Sequence, residues 1–345
     1  MHRFCLRICR LRLLGLAVVL ALVGCDSGTS RPTPSSRVEP HPNPVTTAAV
    51  PASTASYSSR TQAVISVRDA DALVAVAGAI WVKTDPGHVV RIDPATNKVT
   101  DDIVVDRRAE RSSYCQGIGT DGQSVWPCAT LGTRTGVAQI DPATRRVVRV
   151  VPGTKVFDQL RIPATSRGLW ILTSDGSQVS VVDPATGHVT SYPLGGRYQQ
   201  LAARGDRVIA TSSVDGSVVA IDAATGKVIK RTKLNAPLMG DLIDTDVWVD
   251  TADGLTRLDL DLHVRTVYRG ITAGLGGDVF ADADSVWLRE SGGAIYKIDA
   301  ATGRVLERIA PKNDVSAGSL IVAFGSIWTS LSEHGKVIRL SLGDS

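Results

Sequence analysis

The stretch VVAIDAATGKVIKRTKL, Val218–Leu234, is one of five closely similar phrases in the chain. The others begin VVRIDPATNKV at Val89, VAQIDPATRRV at Val137, VSVVDPATGHV at Val179 and IYKIDAATGRV at Ile295. Each phrase joins two short segments rich in Val and Ile through a turn that contains Asp and Thr. Short β-branched segments bounded by such residues are typical of β-strands joined by tight turns.

A second marker, an aliphatic residue followed by Trp, recurs upstream of these phrases and divides the chain into seven units. The marker positions, spaced 39 to 45 residues apart, are Trp81, Trp126, Trp170, Ile209 (in place of Trp), Trp248, Trp287 and Trp328. Each unit contains four short strand segments, and no long helical periodicity is present after residue 60. Four-stranded units with this period predict an all-β fold, a seven-bladed β-propeller of four-stranded antiparallel blades. A β-solenoid is the less suitable alternative because its repeats are much shorter.

The two ends of the repeat region complete each other. The last unit stops after its third strand, whereas the alternating segment QAVISVR, residues 62–68, precedes the first unit without a blade of its own. We therefore expect residues 63–67 to supply the fourth, outer strand of the last blade. That pairing closes the ring and removes an open sheet edge.

The first 24 residues have the pattern of an export signal. Four Arg residues precede the apolar run LLGLAVVLALVG, which is short for a transmembrane helix. The run leads into LVGC, Leu22–Cys25, which resembles the lipobox of bacterial lipoproteins. That resemblance implies cleavage before Cys25, transfer of diacylglycerol to its sulfur, and anchoring on the extracytoplasmic side of the cell membrane. An ordinary signal peptide or an N-terminal anchor helix is the alternative.

Residues 25–60 form a segment rich in Pro, Ser and Thr without apolar periodicity. This composition predicts a disordered tether, so that the propeller domain occupies residues 61–345. Loss of the four arginines in residues 1–24 lowers the formal net charge from +4 to zero. A neutral mature chain lacks the basic surface expected of a nucleic-acid-binding protein. We expect a monomer without a nucleic-acid partner.

Asp occupies the same position in every phrase, with Thr three residues later. The Asp positions are Asp93, Asp141, Asp183, Asp222 and Asp299. A ring of acidic ligands is one interpretation of this regularity. We favour the other, in which each Asp side chain accepts hydrogen bonds within the turn from the third strand to the outer strand. The repeated Trp is likewise interpreted as packing between blades.

Two cysteines, Cys115 and Cys128, flank the first turn of the second unit. If residue 118 pairs with residue 125, these cysteines lie directly opposite on antiparallel strands, at a separation that suits a disulfide. We therefore predict a Cys115–Cys128 bridge, in keeping with an exported protein.

Over residues 62–344 the chain resembles the YVTN/YncE-like propeller proteins and, more distantly, the virginiamycin B lyase-type (streptogramin lyase-type) propellers. The resemblance rests on VW or IW, a Gly turn and the IDPATGKV-like phrases, which are specific for fold and nearly silent on function. VVAIDAATGKV also looks like a PQQ-type repeat, but the docking Trp of that family is missing after the outer strand. We therefore expect no bound cofactor.

Candidate functional residues lie in loops on one face, which bears the turns between second and third strands and the connections between blades. The candidates are His88, Asp175, Asp215, Asp253, Glu290, His334, Arg108 and Tyr198. His88 and His334 belong to the first and last blades, which are neighbours in a closed ring. The acidic members suggest a carboxylate ring of the kind that binds cations. The alternative, which we favour, is that they are ordinary hairpin-turn residues, and no metal site is assigned.

The sequence therefore predicts an exported, membrane-anchored lipoprotein whose propeller is a non-catalytic scaffold for a protein or a small ligand. The alternative is a metal-dependent enzyme, similar to streptogramin lyases or lactonases, with its site in the central funnel. Streptogramin lyases use a His and carboxylates with magnesium. This alternative consequently requires a His and at least two carboxylates to meet at the axis.

Overall fold

The computed structural model describes residues 44–84, 87–105, 116–131, 134–152, 159–173, 175–315 and 317–343. The described chain forms seven sheets arranged as the blades of a propeller, which confirms the predicted fold class. Four elements precede the first complete blade: β1 (Val45–Ala48), β2 (Ser53–Ser56), the single-turn helix α1 (Tyr57–Arg60) and β3 (Thr61–Ser66).

The strands of each blade follow in chain order from the axis to the rim. Blades one and two contain β4 (Ala70–Val76), β5 (Ala79–Thr84), β6 (His88–Asp93), β7 (Lys98–Val104), β8 (Ile118–Thr120), β9 (Val125–Leu131), β10 (Arg134–Asp141) and β11 (Arg146–Pro152). Blades three and four contain β12 (Arg161–Ile162), β13 (Ala164–Thr165), β14 (Gly168–Leu172), β15 (Gln178–Val182), β16 (Val189–Pro193), β17 (Gln200–Arg204), β18 (Arg207–Ser212), β19 (Ser217–Asp222) and β20 (Val228–Lys233). Blades five to seven contain β21 (Gly240–Leu242), β22 (Asp246–Thr251), β23 (Gly254–Asp259), β24 (Val264–Arg269), β25 (Asp278–Ala281), β26 (Ser285–Arg289), β27 (Ile295–Asp299), β28 (Val305–Ala310), β29 (Leu320–Ala323), β30 (Ser326–Leu331) and β31 (Lys336–Ser341), with a 3-10 turn at Ser332–His334.

The ring is closed as predicted. Strand β3 pairs antiparallel with β31, from Thr61 opposite Leu340 to Ser66 opposite Lys336, and so forms the outer strand of blade seven. The inner strands β4, β8, β12, β17, β21, β25 and β29 each contact the next, and the last contacts the first. Every blade is therefore packed between two others, which buries both faces of its sheet.

The segment before the first blade is ordered, contrary to the sequence-based expectation. Strand β1 adds parallel to β24 and strand β2 adds parallel to β28, so that each extends a blade by a fifth strand. We call residues 45–66 the N-terminal strap. The predicted tether is wrong over residues 45–60, and residues 25–43 lie outside the described residues. The strap lacks apolar periodicity because its order comes from backbone hydrogen bonds to existing sheet edges.

Two side chains fasten the strap to blade six. Tyr57 is only 7 % exposed, and its hydroxyl donates to the Gly293 carbonyl at 2.6 Å. Arg60 forms an ion pair with Glu307 on β28. The strap is therefore held by specific contacts in addition to strand pairing.

The Trp repeat packs in the core, as predicted. All six Trp side chains are at most 1 % exposed, and each lies on the second strand of its blade. The indole N–H usually finds an acceptor five residues upstream, as Trp126 does at Asp121 (2.9 Å) and Trp170 at Thr165 (2.9 Å). Ile209 takes the equivalent place on β18 of blade four.

The repeated Asp side chains accept hydrogen bonds within their turns, which confirms the favoured interpretation over a ring of acidic ligands. Asp93 accepts the Ala95 amide at 2.8 Å and the Thr96 hydroxyl at 2.9 Å. Hydrogen bonds of this kind to the ionised carboxylate lower the pKa of each repeated Asp. The residues affected are Asp93, Asp141, Asp183, Asp222 and Asp299.

Blade two departs from the predicted register. Ile118 lies opposite Pro127 and Thr120 lies opposite Val125, so the hairpin is shifted by two residues from the predicted pairing of 118 with 125. Gly117 therefore faces Cys128, and the Gly117 carbonyl accepts the Cys128 amide at 2.8 Å. The shift arises because the Asp121 side chain accepts the Gln123 and Ser124 amides and closes a short turn at 121–124. Cys128 is disulfide-bonded, and its predicted partner Cys115 lies outside the described residues.

Candidate functional site

The strand order gives the propeller two faces. The upper face bears the turns between second and third strands and the connections between blades, and the lower face bears the remaining turns. Within the described ranges, no helix is long and apolar enough to span a membrane. Of the predicted upper-face residues, Arg108 lies outside the described part of the chain.

Two of the predicted acidic residues accept hydrogen bonds from loops of the upper face. Asp175 accepts hydrogen bonds from the Thr173 hydroxyl and from the amide and hydroxyl of Ser177, at 2.8 to 3.0 Å. These bonds lower the pKa of Asp175 to about 2. Asp253 accepts the side-chain amide of Asn235 at 3.0 Å. Both carboxylates stabilise loops.

Asp215 and Tyr198 belong to one loop anchor. The Asp215 carboxylate accepts the Arg197 amide at 2.6 Å. Tyr198 is only 1 % exposed. The Arg231 guanidinium stacks on its ring, 5.6 Å from the ring centroid, and donates to its hydroxyl. Tyr198 therefore holds the connection between blades three and four and does not present its ring to a partner, contrary to the sequence-based assignment.

The two upper-face histidines lie in different surroundings. His88 lies 2.7 Å from Asp102 of its own blade, and His334 lies in the 3-10 turn of blade seven. Among the described residues, no group of three or more His, Cys, Asp or Glu side chains is placed to hold a metal ion. The acidic residues of the upper face lie on separate turns, in keeping with the favoured interpretation as hairpin-turn residues.

Glu290 occupies a more enclosed place on blade six. Burial raises the pKa of its carboxyl, while the nearby Arg308 and a hydrogen bond with Tyr296 oppose that shift. Arg308 in turn donates to the Tyr296 hydroxyl at 3.0 Å and stacks over its ring. The cluster joins the second-to-third-strand loop of blade six to its outer strand.

A cavity lies on the axis, in the central funnel where the sequence-based alternative places an enzyme site. It has a volume of about 320 Å³ and is lined by the inner strands of all seven blades. Its walls are mostly aliphatic, with Phe280 the largest side chain and Arg161 and Asp241 the only charged ones among the lining residues.

Arg161 crosses this axial channel. From β12 of blade three its guanidinium donates to the Asp278 carboxylate of blade six at 2.8 Å. It also donates to the carbonyls of Val279 and Leu320, and it stacks over the Phe280 ring at 5.7 Å. One side chain therefore connects blade three with blades six and seven.

The two axial carboxylates are satisfied within the protein. Asp278 is fully buried and accepts the Leu320 amide at 3.0 Å as well as Arg161, yet burial still raises its pKa to about 6. Asp241 accepts the amides of Leu242 and Ala281, each at 2.9 Å, and burial raises its pKa as well. No histidine is present among the residues that line the channel.

The sequence offered little signal for this axial cluster. Asp241 and Asp278 stand at or near the start of the inner strands of units five and six, but Arg161 has no counterpart in the other units. Its strand is also interrupted at Pro163, with β12 paired parallel to β8 of blade two. A comparison between repeats misses Arg161, because its partner Asp278 lies more than 100 positions away in the chain.

Comparisons with known proteins support the fold. A family model described as outer membrane protein assembly factor BamB matches residues 173–341, so the repeats in that part of the chain are similar to PQQ-type repeats. No curated protein matches the chain. The WD40 domain of Neurospora crassa Pan2 is 13 % identical with a TM-score of 0.62, over 80 % of this chain and 90 % of that one. The computationally designed Ika8 protein is 14 % identical with a TM-score of 0.56, over 82 % of this chain and all of the design.

Proposed function

We propose that this protein is a lipid-anchored, extracytoplasmic scaffold whose propeller binds a partner without catalysing a reaction. The observation that carries the proposal is the axial cluster. Arg161, Asp241 and Asp278 make their hydrogen bonds to groups on the inner strands of blades five to seven, so the channel is organised for closure of the ring. The surfaces left for recognition are the loops of the upper face and the outer edges of the blades.

The family match is consistent with this role. The matching model bears the description of an outer membrane protein assembly factor, and a role through contacts with other proteins is what we propose for this chain. The YVTN/YncE-like resemblance and the lipobox at Leu22–Cys25 complete the proposal. Diacylglycerol on Cys25 supplies two acyl chains, and two lipid signals are sufficient for stable anchoring.

The lipid anchor is tested by metabolic labelling. Cells that express the full-length chain are fed a radiolabelled fatty acid, and we expect label in the wild-type protein and none in Cys25→Ser. Substitution of Cys128 by Ser serves as the control because this cysteine is engaged in a disulfide. Equal labelling of wild type and Cys25→Ser would remove the anchor from the proposal.

The scaffold role is tested by crosslinking in the native membrane. We expect one abundant partner whose crosslinks map to the upper face or to the blade edges. Crosslinks that map to no consistent surface, or magnesium-dependent thermal stabilisation with turnover of a small substrate, would instead favour the enzyme.

A further inference from the structure

The outer edge of a blade already receives added strands in this protein. Strand β1 pairs in parallel with the last four residues of β24, Thr266–Arg269, and β2 pairs with the last four of β28, Glu307–Ala310. The Ala49 amide donates to the Arg269 carbonyl at 2.9 Å at the end of the first pairing. These edges therefore accept an extended segment without a change in the blade.

Blades two and three are closed to such addition by proline. Pro152 lies opposite Gly136 in blade two, and Pro193 lies opposite Gln178 in blade three, at the same position of the outer strand. The next residue in blade three, Leu194, donates its amide inward to Ser177, so position 193 faces outward. A proline there removes the one donor that an added strand would use, as protected edges do.

Blade four has the same edge without the proline. Lys233 lies opposite Ser217, in the place that Pro193 takes in blade three, and Leu234 donates inward to Gly216 at 3.1 Å. Alternation along the strand then turns the amide and carbonyl of Lys233 and Arg231 outward. No described strand covers β20, whereas the strap covers the edges of blades five and six.

The charge of this edge selects the kind of strand that it accepts. Lys230 and Lys233 are exposed on β20 and Lys227 is exposed just before it, and Lys233 donates to the Asp215 carbonyl at 2.6 Å. Lysine on an edge discourages pairing with neutral or basic strands. The uncovered edge of blade one differs, since β7 carries Asp101 and Asp102.

We infer that the outer edge of β20, residues 230–233, is an acceptor for an extended acidic segment of a partner protein. The segment adds as a fifth strand, in the way that β1 and β2 add to the next two blades. Backbone hydrogen bonds supply affinity, and carboxylates opposite Lys230 and Lys233 supply selectivity. This inference rests on the proposed scaffold function and names its site and partner chemistry.

The test uses the full-length chain in detergent and a fluorescent peptide of about eight residues, Val and Thr with two Glu three residues apart. That spacing places one carboxylate on each face of the added strand, as Lys230 and Lys233 lie on opposite faces of β20. Fluorescence anisotropy should show saturable binding that weakens with added salt. The same peptide with Lys in place of Glu should bind at least about tenfold more weakly. Hydrogen exchange should show protection of residues 230–233 by the Glu peptide.

Two variants of β20 separate backbone pairing from charge. Lys233→Pro copies the proline of blades two and three and removes the outward amide, and K230E/K233E reverses the charge. Each should weaken binding at least about tenfold, whereas Lys312→Glu, on an exposed loop of the upper face, should change it less than about twofold. Thermal melts check that each variant folds. If the proline variant does not fold, K230E/K233E alone tests the inference.

Three results would overturn the inference: no saturable binding by the wild type, binding indifferent to both β20 variants, or equal affinity for the Lys peptide. Concentration-dependent oligomers in which β7 of a second copy pairs with β20 would also overturn the inference, because a second copy of the chain and not a partner protein would then occupy the edge. A native partner that crosslinks away from β20 would refute the acceptor edge and leave the scaffold function in place.

Discussion

Arg161 of blade three and Asp278 of blade six meet across the propeller axis, with 2.8 Å between guanidinium nitrogen and carboxylate oxygen. The Asp278 side chain is fully buried and that of Arg161 is 18 % exposed. The ring is therefore held by an axial ion pair as well as by the strand exchange between β3 and β31. Removal of one partner leaves a buried charge, which costs far more than the pair itself contributes.

Substitution of Arg161 by Met should destabilise the protein by about 3–5 kcal/mol near pH 7, because Asp278 loses its buried partner. Arg204→Met is the matched control: Arg204 pairs with Asp244, whose side chain is 80 % exposed, and its loss should cost about 0–1 kcal/mol. Urea unfolding measures both. R161M/D278N should recover much of the loss, and equal costs for R161M and R204M would contradict the assignment.

The stability of the protein should depend on the titration of Asp278. Burial raises its pKa from 3.8 to about 6, so the folded state holds a proton that the unfolded state releases. Stability associated with this group is consequently present below pH 4 and is lost as pH rises to about 6, by on the order of 2–3 kcal/mol. Unfolding of D278N, followed between pH 4 and 7, should lack this loss. D175N should retain it, because hydrogen bonds lower the pKa of Asp175 to about 2.

Loss of the Tyr57 hydroxyl should loosen the N-terminal strap. Tyr57→Phe leaves the Gly293 carbonyl without its donor, at a cost of about 1–2 kcal/mol. Faster hydrogen exchange is expected in β1, β2 and β3, with little change in the other blades. Tyr192→Phe, whose hydroxyl contacts Arg167 near the surface, should leave the strap unaffected. Burial raises the pKa of Tyr57 to about 12, so the contribution of this contact should be lost as pH rises from 10 towards 12.

Substitution of the glycine at the left-handed position of the repeated turn should cost different amounts of stability in different blades. Gly187 and Gly303 both have positive φ, but a Cβ at Gly303 would lie 1.8 Å from the Tyr268 hydroxyl, against 3.5 Å to the nearest atom at Gly187. Gly187→Ala should cost about 1–2 kcal/mol for backbone strain alone, and Gly303→Ala should cost more. Arg145 holds the same conformation with φ 59°, so Arg145→Gly should stabilise the protein by about 1 kcal/mol. Thermal unfolding of the three variants checks this order.

Removal of an edge proline should open a blade. Pro193→Thr restores an outward amide to β16, and we expect concentration-dependent self-association in sedimentation experiments, because an unprotected edge pairs with other strands. Tyr192→Phe on the same strand keeps the proline and should remain unassociated. A monomeric P193T would show that the edge of blade three is protected by something other than this residue.

The repeated residues were predictable because their roles are local. Asp222 bonds to Thr225 three residues later, and Trp170 bonds to Thr165 five residues earlier, so both contacts lie within one short stretch. Contacts of these two kinds recur in most of the blades, and a pattern of this kind is visible without a structure. The closing strand was predictable for a related reason, since one blade lacked a strand and one segment lacked a blade.

The candidate site was less predictable because residue type does not reveal what a loop side chain contacts. The sequence allowed Asp175 and Asp215 to be members of a carboxylate ring or turn residues, and only the structure showed which amides each one accepts. Tyr198 looked like a surface aromatic and lies in the core beneath Arg231. Hairpin registers are equally sensitive, as the two-residue shift at Cys128 shows.

The sequence by itself determined the seven blades and the chemistry of their turns, because these depend on contacts among near neighbours repeated at similar spacings. It also determined how the ring closes, because one blade lacked a strand and one segment lacked a blade. Only the tertiary structure decided that Arg161 meets Asp278, that the strap lies on blades five and six, and that no strand among the described residues covers β20. Those features depend on which segments the closed ring brings together. Contacts across an axis or along a rim join residues that have no fixed separation in the chain.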